Sequence, residues 1–197
     1  MLNIGVLISG GGTNLQAIID ETKSGGINGT VKLVISNKEN AYGLERARLS
    51  KIKAVYETDE DKIIGLLKEN NIDLIVLAGY LSILDGDILK EFKDKIINIH
   101  PSLIPSFCGD KMYGIHIHNA VKACGVRFTG CTVHFVNEEV DGGAIILQEA
   151  VPVYFDDRAE DIQKRVLVEE HKLLPKAIDL ISKDKIEIID GRVNILK

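Results

Sequence analysis

The chain of 197 residues has little of three things: long apolar runs, clustered basic residues and paired cysteines. No apolar run approaches the ~18 residues of a membrane-spanning helix, so we expect no membrane insertion. A formal net charge of −5 without a basic run does not give the basic face of a nucleic-acid-binding protein, so we expect no nucleic-acid partner. The three cysteines, Cys108, Cys124 and Cys131, lack C-x-x-C spacing, which indicates a reduced, cytoplasmic protein.

The N-terminus does not have the pattern of a secretory signal peptide. Its apolar residues 1–9 form a short run, no basic region precedes them and no small-residue cleavage site follows, so they are interpreted as a first strand. Hydrophobic residues make up 45% of the chain and charged residues 27%, which is typical of a globular domain with a sizeable core. Because the sequence contains no repeat, low-complexity segment or linker, we predict one domain over residues 1–197.

Apolar, β-branched segments alternate with helical patterns along the chain. The predicted strands cover residues 3–8, 31–36, 53–57, 74–78, 96–99, 128–135 and 145–153. The predicted helices cover residues 14–23, 43–50, 60–70, 85–92, 115–123 and 158–182. This order favours an α/β fold with a mostly parallel, Rossmann-like open sheet and helices on both faces. The turn at residues 141–143 separates the last two strands, which we expect to form an antiparallel C-terminal extension.

A polar pair stands at the end of the fifth predicted strand. Asn98 and His100 are two residues apart, so they point to the same face of the strand that Pro101 ends. An amide can donate a hydrogen bond to a developing oxyanion, and an imidazole can transfer a proton near neutral pH. Attack on a carbonyl carbon needs both groups, so the pair is a candidate for acyl-transfer chemistry; the alternative is a purely structural pair.

The first predicted strand runs into the sequence SGGGTN, residues 9–14. The glycines allow a ligand to approach the backbone, and the start of the next helix offers free N–H groups to a phosphate. The loop lacks the Gly-Lys-Ser/Thr ending of a Walker motif, and Leu15 occupies the place of the third glycine of a dinucleotide fingerprint. A phosphate monoester is therefore favoured over a nucleotide cofactor, and a tight strand-to-helix turn is the alternative.

Asp141 precedes two glycines, so its loop can bend sharply. If the loop folds back towards His100, the carboxylate would orient the imidazole and raise its pKa. Ligands of open parallel sheets bind at the carboxyl ends of the strands, so we expect the glycine loop and the Asn98 and His100 strand end to line one cleft. Taken alone, the Asp-Gly-Gly sequence predicts only a turn.

Other polar residues carry weaker signals. His116 and His118 begin a helical pattern, in which residues two apart do not share a face, so we predict no metal site there. His134 lies on a predicted strand and is expected to be packed or hydrogen-bonded. Glu170 lies on the long last helix, where by itself it fits a solvated face.

Four motifs together resemble the phosphoribosylglycinamide formyltransferase family: residues 8–18 (ISGGGTNLQAI), 77–80 (LAGY), 97–105 (INIHPSLIP) and 141–143 (DGG). The resemblance implies a formyltransferase fold that transfers a formyl group from the co-substrate 10-formyltetrahydrofolate to the amine of 5-phosphoribosyl-glycinamide in purine biosynthesis. It also implies small-molecule substrates, no metal, and a monomer or homodimer. Residues 1–100 would form a phosphate-binding half, and residues 100–197 a folate-binding and catalytic half.

The resemblance further implies roles for matching residues. Asn98 would bind the oxyanion, His100 would act as general acid, and Asp141 would raise the proton affinity of His100. The residues that match the acceptor site, where Glu170 would meet the amine, are Gly11, Gly12, Thr13, Asn14 and Glu170. The residues that match the folate site are Leu81, Ser82, Ile83, Leu84, Asn98, Val136, Val140 and Asp141.

Three features depart from the family pattern. Ser82 stands where many members have an arginine, which puts one side-chain contact to the folate in doubt. The segment 57–72 is short and has no clear equivalent of an arginine that longer members place near the folate tail. The segment 107–113 is longer than the usual Pro-Gly connection and is expected to change the wall of the cleft rather than the chemistry.

Three other functions fit parts of the pattern. A formyltetrahydrofolate deformylase would share Asn98, His100 and Asp141 but direct water to the formyl group. A methionyl-tRNA formyltransferase resembles the chain around Asn98 and His100. Both kinds of relative carry a further domain, which we expect to be absent here. A folate- or phosphosugar-binding module without catalysis would not need the three polar residues.

Overall fold

The computed structural model describes all 197 residues, and a seven-stranded sheet forms its centre. The strands of this sheet are β1 (Leu2–Ile8), β2 (Gly29–Ser36), β3 (Lys53–Tyr56), β4 (Leu74–Leu77), β5 (Ile96–His100), β6 (Phe128–Phe135) and β7 (Ile145–Pro152). Their order across the sheet is β3-β2-β1-β4-β5-β6-β7. The first five strands pair in parallel, while β6 pairs antiparallel with both β5 and β7. The predicted fold class and its antiparallel extension are both confirmed.

Six helices cover the sheet. They are α1 (Thr13–Ser24), α2 (Tyr42–Leu49), α3 (Glu60–Glu69), α4 (Asp87–Glu91), α5 (Ile115–Cys124) and α6 (Ala159–Ser182). The core consists of two apolar clusters, one on each face of the sheet: a larger one with buried residues of α1, α2, α5 and α6, and a smaller one with those of α3 and α4. No helix combines the length and the apolarity that a bilayer span requires.

The central strands are apolar along both faces because helices cover both. In β1, Val6 and Ile8 belong to the larger cluster, whereas Leu7 belongs to the smaller one. Strand β5 departs from this pattern at its carboxyl end. Ile97 and Ile99 pack into the larger cluster, while the alternate positions carry Asn98 and His100, which therefore share the other face as expected.

Two parts of the chain differ from the sequence-based expectation. Helix α4 begins only at Asp87, two residues later than predicted, because Gly86 before it adopts a positive φ of 63°. A second, two-stranded sheet, β8 (Ile186–Ile189) and β9 (Arg192–Ile195), was not predicted. Its two-residue connection is Asp190-Gly191, both with positive φ, and an Asp-Gly pair between apolar segments is a hairpin signal that the sequence contained.

Helix α6 fixes the relative positions of the other layers, because it packs against α1, α5, β6 and β7. Leu174 on its inner face is fully buried, whereas Val168 on the same helix is 53% exposed. We expect Leu174→Ala to lower the free energy of unfolding by about 2–5 kcal/mol, since it removes buried methyl groups and leaves a cavity. Urea unfolding followed by circular dichroism measures this loss. Val168→Ala is the control, and an equal loss in both variants would contradict the assigned packing.

Candidate active site

The buried end of β5 and the turn after β6 bring the three predicted catalytic side chains together. His100 is 4% exposed, and its Nδ1 lies 3.4 Å from Oδ1 of Asp141. His134 on β6 lies on the same carboxylate, with its Nε2 3.6 Å from Oδ1 of Asp141. The prediction that the Asp141 loop folds back towards His100 is therefore confirmed.

The Asn98 amide is oriented by His134, because the antiparallel register of β5 and β6 pairs these two residues directly. Nδ1 of His134 lies 2.8 Å from the carbonyl oxygen of Phe135, and a carbonyl only accepts, so this nitrogen carries the ring proton. Nε2 of the same ring then accepts a hydrogen bond from Nδ2 of Asn98 at 3.2 Å. One amide proton of Asn98 remains free for a ligand oxygen.

His100 contacts a second partner through its other nitrogen. Its Nε2 donates to the carbonyl oxygen of Phe107 at 3.0 Å, so Nδ1 faces the Asp141 carboxylate. Burial lowers the pKa of His100; Asp141 and the Phe107 carbonyl act in the opposite direction, and His134 lowers the pKa further. Asp141 therefore acts in the predicted direction, towards a higher pKa, but burial outweighs it and the net pKa of His100 lies below the ordinary value.

The Asp141 carboxylate remains the charged member of this group. Burial raises its pKa, but the His134 ring, the backbone N–H of Gly109 at 3.0 Å and the two nearby imidazoles outweigh burial, and the net pKa is lowered. Its backbone has a positive φ of 58°, a conformation that aspartate tolerates better than most residues. Gly143 is required close by, because a Cβ there would overlap the Phe135 carbonyl oxygen.

The longer segment 107–113 has a larger role than the sequence suggested. It does more than form a wall, since the Phe107 carbonyl accepts from His100 and the Gly109 N–H donates to Asp141. These contacts use backbone atoms, which side-chain motifs do not reveal. His134 was likewise overlooked as a site residue, although its place opposite Asn98 follows from the antiparallel pairing.

A second buried polar pair joins the first and last helices. Nδ2 of Asn14 donates to Oε2 of Glu170 at 2.7 Å, and each residue is 8% exposed. Burial raises the pKa of Glu170, and the Asn14 hydrogen bond only partly offsets this. The solvated-face interpretation of Glu170 is therefore wrong. Oδ1 of Asn14 is buried without a partner, which leaves an acceptor for a ligand donor.

The glycine loop between β1 and α1 has unpaired backbone donors. Gly12 precedes the helix in a left-handed conformation with φ 70°, so a residue with a Cβ would be strained there. The N–H groups of Gly11, Gly12, Thr13 and Asn14 have no acceptor within the protein. Such a row of donors at the positive end of a helix dipole suits an anion.

The residues matched to the folate site differ in exposure. Leu81 and Ile83 are 58% and 71% exposed and Val140 is 47% exposed, whereas Leu84 is buried and Val136 packs against the smaller core cluster. This arrangement leaves apolar side chains open to a ligand.

Ser82 lies on the wall of a cavity of about 80 Å³, together with Thr58 and Glu60 from the short segment. Its Oγ accepts a hydrogen bond from Nδ2 of Asn37 at 2.7 Å.

The pair His116 and His118 is split between surface and core. His116 is exposed and meets Tyr113 edge-on with ring centroids 5.3 Å apart, while His118 is 1% exposed. No group of three or more histidine, cysteine or acidic side chains is arranged to hold a metal ion.

The chain is similar to known proteins over nearly its whole length. The profile of the family described as formyl transferase matches residues 2–178. A phosphoribosylglycinamide formyltransferase from Haemophilus influenzae is 44% identical over 207 residues, which cover 98% of this chain and 95% of that protein. The crystal structure of glycinamide ribonucleotide transformylase 1 from Symbiobacterium toebii superposes with a TM-score of 0.94 at 43% identity and covers 100% of this chain and 95% of that chain.

Two further similarities cover only part of the other protein. A trifunctional purine biosynthetic protein from Gallus gallus is 42% identical over 95% of this chain, which spans 19% of that protein. A formyltetrahydrofolate deformylase from Pseudomonas syringae superposes with a TM-score of 0.90, covering 100% of this chain and 66% of that chain. Its identity is 24%, so this likeness concerns the fold alone.

His118 gives the fold a specific pH dependence. Burial, aided by the nearby His100, lowers its pKa from 6.5 to about 4. Between these values the unfolded chain takes up a proton that the folded protein does not, so stability falls as the pH falls. We expect this residue to account for about 3 kcal/mol of lost stability between pH 7 and pH 4.

Urea unfolding at pH 7, 6, 5 and 4 measures this loss. His118→Gln should show a shallower fall than the unmodified protein, and the exposed His116→Gln should keep the original fall. Parallel pH profiles for His118→Gln and the unmodified protein would remove His118 as the cause.

Proposed function

The chain belongs to the formyl transferase family, and from this premise we propose that it transfers the formyl group of 10-formyltetrahydrofolate to the amine of 5-phosphoribosyl-glycinamide. The products are formylglycinamide ribotide and tetrahydrofolate, in purine biosynthesis. The observation that carries this proposal is similarity over nearly the full chain to enzymes named phosphoribosylglycinamide formyltransferase. The chain is thus an enzyme of the transferase class, and the family uses formyl-folate as co-substrate. A cytoplasmic location is part of the proposal, and the three free cysteines agree with it.

In this proposal Asn98 stabilises the negative charge of the reaction. The acceptor amine attacks the formyl carbon, and the formyl oxygen becomes an oxyanion in the tetrahedral intermediate. The free amide proton of Asn98 would donate to that oxygen, and His134 keeps the amide from rotating away. A donor that is already oriented needs no reorganisation when the charge develops, which is why such groups contribute strongly to catalysis.

His100 would supply the proton that the leaving folate nitrogen or the oxyanion requires. Its Nε2–H donates to the Phe107 carbonyl, and we propose that the reacting formyl group takes the place of this carbonyl. A lowered pKa makes the protonated imidazole a stronger acid, and the ionised Asp141 stabilises the ring when it is charged. Asp141 would therefore tune and orient His100 without exchanging protons itself.

The acceptor would lie between the glycine loop and α6. The free N–H groups of Gly11, Gly12, Thr13 and Asn14 suit the phosphate, as argued above. The Glu170 carboxyl, held by Asn14, would accept a hydrogen bond from the glycinamide amine and orient its lone pair. The two ends of one phosphorylated amine are then bound by the loop before α1 and by α6.

The folate would lie against the apolar side chains at the ends of β4 and β6. Leu81, Ile83 and Val140 are exposed apolar residues, which suit a flat heterocycle. Ser82, Leu84 and Val136 complete the proposed folate site. No step of this chemistry requires a metal.

Product analysis tests the function directly. The purified protein is incubated with 10-formyltetrahydrofolate, with and without 5-phosphoribosyl-glycinamide, in the presence of a chelator. We expect formylated glycinamide ribotide only when the acceptor is present, because the acceptor supplies the attacking amine. Formate released at the same rate without acceptor would instead identify a deformylase, and activity that needs an added divalent ion would overturn the metal-free mechanism.

Single substitutions test the three catalytic roles. We expect Asn98→Ala, His100→Ala and Asp141→Ala each to lower turnover by at least ~100-fold. The first removes the oxyanion donor, the second the proton donor, and the third the charge that supports the proton donor. Matched controls are Asn119→Ala, His116→Ala and Asp110→Ala, which change the same side-chain types at exposed positions. A near-normal rate in any of the first three variants would remove that residue from the mechanism.

A further inference from the structure

The carbonyl side of the glycine loop is bound by the protein at three successive residues. The carbonyl oxygen of Gly10 accepts from the backbone N–H of Gly43 at 3.0 Å, and that of Gly12 accepts from the N–H of Gln16 at 2.9 Å. The carbonyl oxygen of Gly11 accepts from Nε of Arg46 at 2.8 Å. The middle bond is thus the only one of the three that a side chain makes.

The direction of the free N–H groups follows from these bonds. In a trans peptide group the C=O of one residue and the N–H of the next lie in one plane and point in opposite directions. Fixing the Gly11 carbonyl towards Arg46 therefore turns the Gly12 N–H away from α2, and fixing the Gly10 carbonyl turns the Gly11 N–H the same way. Since neither N–H has an acceptor within the protein, both are available to a ligand on the open side.

Arg46 is itself held in place by several groups. Its Nη1 donates to Oε1 of Gln16 at 3.3 Å, and its guanidinium lies 5.0 Å from the ring centroid of Tyr42. Nε2 of Gln16 in turn donates to Oδ1 of Asp20 at 2.9 Å. Arg46 forms no ion pair with an acidic side chain, so its positive charge is not neutralised behind the loop.

The loop also packs closely against α2 and the Arg46 side chain. A Cβ on Gly12 would lie 2.7 Å from Cα of Gly43 and 3.5 Å from Cδ of Arg46. The backbone of the loop therefore lies directly on the N-terminal turn of α2, with the guanidinium beside it.

We propose that Arg46 is a positioning residue for phosphate recognition: by holding the Gly11 carbonyl it keeps the Gly11 and Gly12 N–H groups directed at the phosphate of the acceptor. This inference rests on the proposed function, because it takes the acceptor phosphate as the ligand of the loop. Arg46 acts through the peptide group, and its charge adds a smaller, non-directional attraction for a dianion.

Kinetics with two acceptors tests this role. We expect Arg46→Met to raise KM for 5-phosphoribosyl-glycinamide at least tenfold, with kcat and KM for 10-formyltetrahydrofolate within about twofold of the unmodified enzyme. The dephosphorylated acceptor, glycinamide riboside, should lose no efficiency, because it lacks the group that the loop binds. Equal increases in KM for acceptor and folate would indicate general damage and would overturn the proposal.

Two more variants separate the bond from the charge. Arg48→Met on the same helix removes an equal charge from an exposed side chain that pairs with Glu45, and it should leave every constant within twofold. Arg46→Lys keeps the charge but loses the Nε geometry, so KM should still rise at least fivefold. Full recovery by lysine would contradict a role in orienting the peptide, and this variant decides the question if Arg46→Met does not fold.

A binding measurement makes the result independent of turnover. Titration with inorganic phosphate, followed by the amide resonances of Gly11 and Gly12, should give a Kd at least fivefold higher for Arg46→Lys than for the unmodified protein. An unchanged Kd would overturn the role of Arg46 even if the enzyme is active. If the unmodified protein makes no formylated acceptor, the proposed function fails, while the titration still decides the effect of Arg46 on the loop.

Discussion

The site depends on keeping one carboxylate ionised where little water reaches it. Asp141 is 9% exposed at its side chain, and burial alone would favour its neutral form. The Gly109 N–H donates a hydrogen bond to this carboxylate, and the rings of His100 and His134 both lie against its Oδ1. Each of these groups comes from a different element, namely the segment after β5, the end of β5, and β6. The charge of Asp141 therefore holds together the parts of the chain that form the reactive centre.

The direction of β6 decides which side chains meet. A parallel strand in this place would have required a crossover connection, whereas the antiparallel pairing sets His134 directly opposite Asn98. The chain leaves β6 beside the amino end of β5, and the turn after β6 folds back so that Asp141 lies against His134 and His100. On the other side of the site, α6 returns to α1 and joins Glu170 to Asn14, 156 residues apart in the sequence. Both contacts are long-range, so the site forms only when β5 pairs with β6 and α6 packs against α1.

Much of this could be predicted from the sequence where the physical signal is local. Alternating apolar strands and helical patterns identify the parallel sheet, and strand periodicity places Asn98 and His100 on one face. Burial of Glu170 could not be predicted, because a polar helix position is buried only by the helix that packs on it. The backbone contacts of Phe107 and Gly109 leave no pattern in side-chain chemistry. The net pKa of His100 depends on whether burial, which lowers it, outweighs the charge of Asp141, which raises it. Only the three-dimensional structure determines this balance.

The same burial acts on the two proton-carrying groups in opposite directions, and at His100 it is opposed by Asp141, which supports the protonated ring that the proposed reaction needs. Burial lowers the pKa of His100 and raises that of Glu170, so in both cases it favours the neutral form. A neutral amine and a neutral formyl group would then meet in a site whose fixed charge is Asp141. Charge would develop only as the tetrahedral intermediate forms, next to the oriented amide of Asn98. Water could attack the same carbon, so selectivity for the amine has to come from the acceptor side, where the glycine loop and Glu170 would bind both ends of the substrate.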